Sequence, residues 1–298
     1  MNSSLQQAIL QIYPQAARII DIHSFRPGYL PYPARLTLQT TTGDTVICVI
    51  KASENAGKIN HEAHVLRALA ELKLPVPEVL AGPITVPDTS PPLTIMLIGE
   101  LPGQPLPWLR LTDLAIADQT CRLVHTAIDC LHALTPEVQA HPVAALVPSK
   151  TLESEVQTIR ARHSAWFDVP LFNEALELVE AALPLHNSPL VFSNGDYNPL
   201  NFLTADDELV GFIDFEYACF EDPYIGFAKF LLWADDDFGW GAGAKSGLVE
   251  RFLYTHQVPP STFLVRLVLR GLSHVQDTSP ANPPHYMLQV ISDAMHRF

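Results

Sequence analysis

Short strand-like segments with one helical stretch among them fill the first hundred residues, and helical periodicity dominates beyond them. IIDIHSF at 19–25, ARLTLQT at 34–40 and TVICVIK at 45–51 read as strands, the last two joined by a turn centred on Gly43-Asp44. SENAGKI at 53–59 is turn-like. NHEAHVLRALAELK at 60–73 then puts Ala63, Leu66, Leu69, Ala70 and Leu72 mostly on one helical side. Six prolines between 74 and 92 forbid a long helix and favour an extended, turn-broken path along a sheet edge. LTIMLIGEL at 93–101 is a buried strand that Pro102-Gly103 closes.

From Thr112, a good N-cap, a helical period runs to Pro136, and two more helices follow at 151–167 and 171–183. Short apolar strands at 190–203 and 208–216 flank a loop rich in Asp and Asn, and helices resume to the C-terminus. The pattern predicts an α+β protein of two lobes. The smaller, five-stranded with one helix, covers residues 1–98, and the larger, mainly helical, covers 99–298.

Composition narrows the function classes. The chain has 298 residues, 48% of them hydrophobic and 17% charged, which is globular and not disordered. Asp and Glu outnumber Lys and Arg by 32 to 18, and the net charge of −14 argues against a surface that tracks nucleic-acid phosphates. The same field suits a cationic small substrate, and a bound nucleotide would need a divalent metal and a few placed cations. Cys48, Cys121, Cys130 and Cys219 form no CxxC pair and read as reduced, buried thiols. No membrane span is expected, since the start lacks a basic and then apolar segment and later apolar runs are broken, as by Lys229 and Arg266; a cytoplasmic location follows.

The chemistry concentrates in NGDYNPLNFL at 194–203 and GFIDFE at 211–216. Asp196 and Asn201 lie five apart in one loop and Asp214 follows an apolar strand, so three oxygen-bearing side chains stand at strand ends, where functional groups gather. Oxygen ligands alone favour magnesium. This pattern resembles the aminoglycoside phosphotransferase and choline kinase family, distant relatives of protein kinases. The resemblance implies a protein-kinase-like fold in which Asp196 is the catalytic carboxylate and Asn201 and Asp214 hold Mg2+. Val49-Ile50-Lys51 matches the strand lysine that grips the α and β phosphates of ATP, and Glu62 on the following helix is its partner. The strand at 93–101 resembles the family's linker, which assigns Met96, Ile98, Gly99 and Leu101 to the adenine ring. The chain departs from the family at three points. Asn194 stands where a His is usual, RPGYLPYPAR at 26–35 has Gly28 as its single glycine, and Gly226 stands where an Asp is common.

The resemblance thus implies transfer of the γ-phosphate of ATP to a hydroxyl of a small molecule such as an aminoglycoside, choline, a sugar or another amino alcohol. A second reading is a nucleotide-binding pseudokinase acting as sensor or scaffold. Asp235, Asp236 and Asp237, near Trp233, Phe238 and Trp240, are candidates for holding ammonium groups of the acceptor. His61, His64, His125 and His132 sit among apolar helical residues and read as packing or surface groups, not ligands.

Overall fold

The computed structural model describes residues 3–25, 33–106, 114–162, 164–186, 188–233 and 244–297. The chain divides by contact into two units. One comprises Met1–Pro105, Pro136–Val147 and Asn201–Ala218, and the other Leu106–Thr135, Pro148–Leu200 and Cys219–Phe298. This differs from a single cut near residue 98, and hydrogen bonding explains why. The strand pair β9 (Phe202–Ala205) and β10 (Glu208–Phe212) joins the short β6 (Gln104–Pro105), and Phe212 N–H donates to Pro75 carbonyl at 2.9 Å, so the hairpin belongs to the first unit.

In the first unit, α1 (Ser3–Ile12) precedes β1 (Ala16–Ser24), β2 (Pro33–Thr40), β3 (Thr45–Ser53), α2 (Ala56–Glu71), β4 (Val79–Val86) and β5 (Leu93–Gly99). The five strands form an antiparallel sheet in the order β1-β2-β3-β5-β4. Strand periodicity sorts its two faces. Ala34, Leu36 and Leu38 of β2, Cys48, Ile50 and Ala52 of β3, and Ile95 and Leu97 of β5 form one core with Leu5, Ala8 and Ile9 of α1. Lys51, Met96 and Ile98 therefore lie on the opposite face, toward which α2 buries Ile59, Glu62, Ala63 and Leu66. β4 is an edge strand, which suits its Pro83, with two register irregularities. α2 begins at Ala56, within the stretch read as a turn, because Asn55 caps it: its Oδ1 accepts from Lys58 N–H at 3.4 Å.

The second unit is mainly helical: α3 (Leu114–Ala133), α5 (Leu152–Ala161), α6 (Pro170–Ala182), α7 (Ala228–Leu232), α8 (Leu248–Thr255), α9 (Pro260–Val275) and α10 (His285–Met295). A one-and-a-half-turn helix, α4 (Thr135–Ala140), follows α3 and from Pro136 onward counts with the first unit. A small sheet runs β7-β11-β8, from Ser149–Lys150, Cys219–Glu221 and Val191–Ser193. α9 is the hub of this unit, packing against α5, α6, α7 and α10 with Phe263, Leu264, Val268, Leu269 and Leu272 buried. At its centre lies a charge pair. The Arg266 guanidinium, wholly buried, donates Nε–H to Asp222 Oδ1 at 3.0 Å and pairs with Oδ2 through its second arm. It also bonds Thr262 carbonyl at 2.8 Å and Ser188 Oγ at 3.1 Å, while Asp222 Oδ1 accepts Tyr224 N–H at 2.9 Å. That network fixes the turn leading into α7.

Truncating one side of a buried, fully bonded pair strands the other charge. Arg266→Ala is expected to lower unfolding free energy by roughly 3–5 kcal/mol in urea titrations. The double variant Arg266→Leu with Asp222→Leu should lose less than the two single changes together.

Candidate active site

Lys51 is the first functional side chain to find partners. Its Nζ lies 2.7 Å from Glu62 Oε1 and 2.9 Å from Asp214 Oδ1. Glu62 is 1% exposed, and the same Oε1 accepts Phe215 N–H at 3.1 Å, tying α2 to the segment that carries Asp214. Burial alone would discharge Lys51, but the Glu62 and Asp214 carboxylates outweigh it and hold its pKa above the ordinary value. Burial pushes Glu62 the other way, upward, against the pull of Lys51. Asp214 takes a left-handed backbone, φ +67°, an unusual conformation for a residue with a side chain and one that concentrates at functional positions. Ile213 N–H donates to Asn201 carbonyl at 2.9 Å, so the backbones of Asn201 and of the residue before Asp214 are joined directly.

Lys58, one turn before Glu62, reinforces this arrangement although its sequence context reads as a turn. Its Nζ lies 3.1 Å from Glu216 Oε1, bonds Tyr217 Oη and sits 4.1 Å from the Tyr217 ring centre. His61 Nε2 is 2.9 Å from Ala218 carbonyl. Three positions on one side of α2, Lys58, His61 and Glu62, thus hold the stretch 214–218.

In the second unit, the Asp196 loop is braced by the residue that departs from the family pattern. Asn194, 1% exposed, donates from Nδ2 to Asp196 carbonyl at 2.9 Å and accepts Asp196 N–H on Oδ1 at 3.2 Å. Gly195 occupies the left-handed region at φ +74° and donates N–H to Ser193 Oγ at 2.8 Å. The Asp196 carboxylate pairs with Lys229 Nζ. Lys229 was legible in the sequence only as a lone lysine interrupting an apolar run, and it is 9% exposed. Burial, then the charge of Arg270, draws its pKa down to about 7.

Gly226 also has a structural reason. A Cβ there would lie 2.5 Å from the Tyr197 ring, which fills the space. Tyr197 is buried, and its hydroxyl lies 2.7 Å from His132 Nε2. The sequence left His125 and His132 as packing groups: His125 bonds Leu248 carbonyl at 2.9 Å and meets the Phe252 ring edge-on, and the His132 ring lies tilted against Tyr197.

Met96 faces Lys51 in the strand register and is fully buried, and Ile98 shares its face. Gly99 N–H is committed to Glu78 carbonyl at 2.8 Å. Leu101 packs at the close approach of Gly211, whose added Cβ would lie 2.8 Å from Leu101 Cδ1. Asp235, Asp236, Asp237 and Gly28 lie outside the described residues. No group of three or more His, Cys, Asp or Glu suited to a metal is gathered among the described residues. Asp214 and Asn201 instead offer the hard oxygen donors with which magnesium is held when phosphates complete its shell. No helix among the described residues is long and apolar enough to cross a membrane.

A strand lysine paired with a helix glutamate and with an Asp of left-handed backbone just past β10 is the arrangement of a kinase-like α+β phosphotransferase. Residues 33–257 match the model of the phosphotransferase enzyme family, and the chain belongs to that family. Among solved structures, aminoglycoside phosphotransferase APH(4)-Ia is similar at TM-score 0.71 and 15% identity, covering 99% of this chain and 98% of that one. A thermostable mutant of it, in ternary complex with AMP-PNP and hygromycin B, is similar at 0.69 and 15%, again over 99% and 98%. A putative aminoglycoside phosphotransferase from Ralstonia eutropha is similar at 0.55 and 14%, over 98% and 94%. No curated protein sequence matches.

Two outcomes test this packing. Gly226→Ala should destabilise the protein by about 1–3 kcal/mol through collision with Tyr197, and Tyr197→Leu in the same chain should recover much of the loss in thermal unfolding. His132 supplies a pH dependence: burial holds its pKa down to about 4, so it is neutral in the fold. A depressed pKa contributes stability that is complete above the unfolded value, about 6.5, and lost as pH falls toward 4. Melting temperature should therefore drop between pH 6.5 and 4, and His132→Gln should flatten that slope.

Proposed function

We propose that the protein transfers the γ-phosphoryl group of ATP to a hydroxyl of a small molecule, with Asp196 as the residue that receives the hydroxyl proton. The observation that carries this reading is Lys51 held at 2.7 Å by Glu62 and 2.9 Å by Asp214. A cation so fixed, in a chain of net charge −14, answers the need of a polyphosphate for local positive charge. The solved proteins similar in fold that hold AMP-PNP or ADP with hygromycin B support ATP as donor and a hydroxyl-bearing small molecule as acceptor.

Phosphoryl transfer asks chiefly for positioning and charge neutralisation. Lys51 grips the non-transferred phosphates. Met96 and Ile98, on the same sheet face as Lys51, form the apolar wall for adenine. Because Gly99 N–H is taken by Glu78, the backbone at Glu100 and Leu101 is what remains to meet the base. Magnesium, when bound by Asp214 and Asn201, neutralises charge on the phosphate oxygens. Asp196, held by Asn194 on both sides of its peptide, accepts a hydrogen bond from the acceptor O–H. As the bond from acceptor oxygen to phosphorus forms and the bond from phosphorus to the β,γ-bridging oxygen breaks, the proton passes to Asp196 and ADP leaves.

Asp196→Asn is expected to lower kcat by roughly 10²–10⁴ while ATP still binds, since proton acceptance contributes about that factor. Lys51→Ala should instead weaken ATP binding, read by calorimetry. Undiminished magnesium-dependent turnover in either variant would remove the assignment, and tight nucleotide binding without any turnover in the wild type would favour a scaffold.

A further inference from the structure

Arg266, Arg270 and His274 stand four residues apart on α9, so one helical stripe carries all three. Arg266 is answered by Asp222. One turn further, the half-buried Arg270 has an Nε without a hydrogen-bond partner among the described residues, and a turn beyond that the same is true of His274 Nε2. α7 and the residue after it face this stripe: Trp233 meets the His274 ring edge-on at 4.3 Å, and the charge of Lys229 is felt by His274. Arg270 acts on Lys229 in turn. Arg162 also acts on His274, but Asp277 compensates it at 3.0 Å. The carboxylate beside this group is Asp196, paired with Lys229.

Lys229, which is paired with Asp196, and Arg270 thus stand on packed helices within electrostatic range of one another. Burial, then the Arg270 charge, holds the Lys229 pKa down to about 7, and burial, then Arg270, Lys229 and Arg162, holds that of His274 down to about 3. Buried donors are ordinarily satisfied, and an orphaned guanidinium N–H next to a second cation is satisfied best by an anion with oxygens to share. The location is chemically specific, because Asp196 is where the acceptor hydroxyl loses its proton.

We propose that the hydroxyl acceptor carries an anionic group, a carboxylate or a phosphate, received by Arg270 with Lys229 and His274 beside it; this rests on the phosphotransfer reading of Asp196. The net acidity of the chain points toward cationic acceptors, but exposed charges are screened beyond about 8–10 Å, whereas groups in contact with the substrate set its selectivity. Lys229 would then serve both Asp196 and the bound anion, and the Trp233 ring flanks the same position.

The test measures acceptor-dependent ADP release with ATP and magnesium over four matched sets. These are hydroxy acids such as serine, homoserine and malate; phosphorylated sugars; the neutral amides, esters and free sugars that correspond to them; and amino alcohols with kanamycin. Turnover confined to acids or phosphorylated sugars is expected, and which of the two sets works separates carboxylate from phosphate. Arg270→Ala should raise KM for that acceptor at least tenfold with kcat within about threefold, Arg270→Lys should recover part of the loss, and the amide or ester should behave in the wild type as the acid does in Arg270→Ala. A neutral or polycationic best acceptor that is indifferent to Arg270→Ala overturns the proposal.

Should no acceptor in any set turn over, calorimetry with malate and with glucose 6-phosphate decides. Binding that Arg270→Ala weakens tenfold sustains the proposal, and no binding of either overturns it. Nucleotide binding and magnesium-dependent ATP hydrolysis, measured without acceptor, report separately on the phosphotransfer reading, so its failure is distinguishable from failure of the anionic acceptor.

Discussion

Glu62 is a carboxylate with 1% of its surface exposed, and such a group stays charged only where a cation meets it. Lys51 meets it at 2.7 Å, and from that contact the rest of the first unit is organised. The lysine must stand on the sheet face that α2 covers, which sets the alternation of β3; α2 must begin early enough for Lys58 and His61 to reach residues 216–218; and the segment after Asp214 must offer its peptide to Glu62. The positive φ of Asp214 is held in place by the same bonds.

The second unit solves a parallel problem with different residues. Arg266 is wholly buried and Asp222 nearly so, and they bond each other, the adjacent backbone and Ser188 Oγ. Asp222 thereby fixes the turn into α7, and α7 carries Lys229 to Asp196. Structural and chemical ion pairs are therefore linked by a few residues of chain. A family position usually acidic is Gly226 here because the Tyr197 ring fills the space beside it.

Loop chemistry follows the same economy of bonds. Asn194 replaces the expected histidine yet grips Asp196 peptide through both its amide and its carbonyl, so the loop keeps a side-chain brace of a different kind. The usual histidine and this asparagine share the capacity to donate and accept at once.

The sequence by itself carried the strand segments and the edge position of the proline-rich stretch, and resemblance to a family singled out Lys51, Glu62, Asp196, Asn201 and Asp214, of which the fold brings Lys51, Glu62 and Asp214 into contact; strand patterning and residue type at fixed spacing are local properties of the chain. Only tertiary structure decided that the hairpin 202–212 joins the first unit, that Lys58 supports Glu216, and that Lys229 meets Asp196 within range of the Arg270 charge. Those pairings join residues from 33 to 158 positions apart, and the energy that selects them, burial of charge against charge, is absent from any short window of sequence.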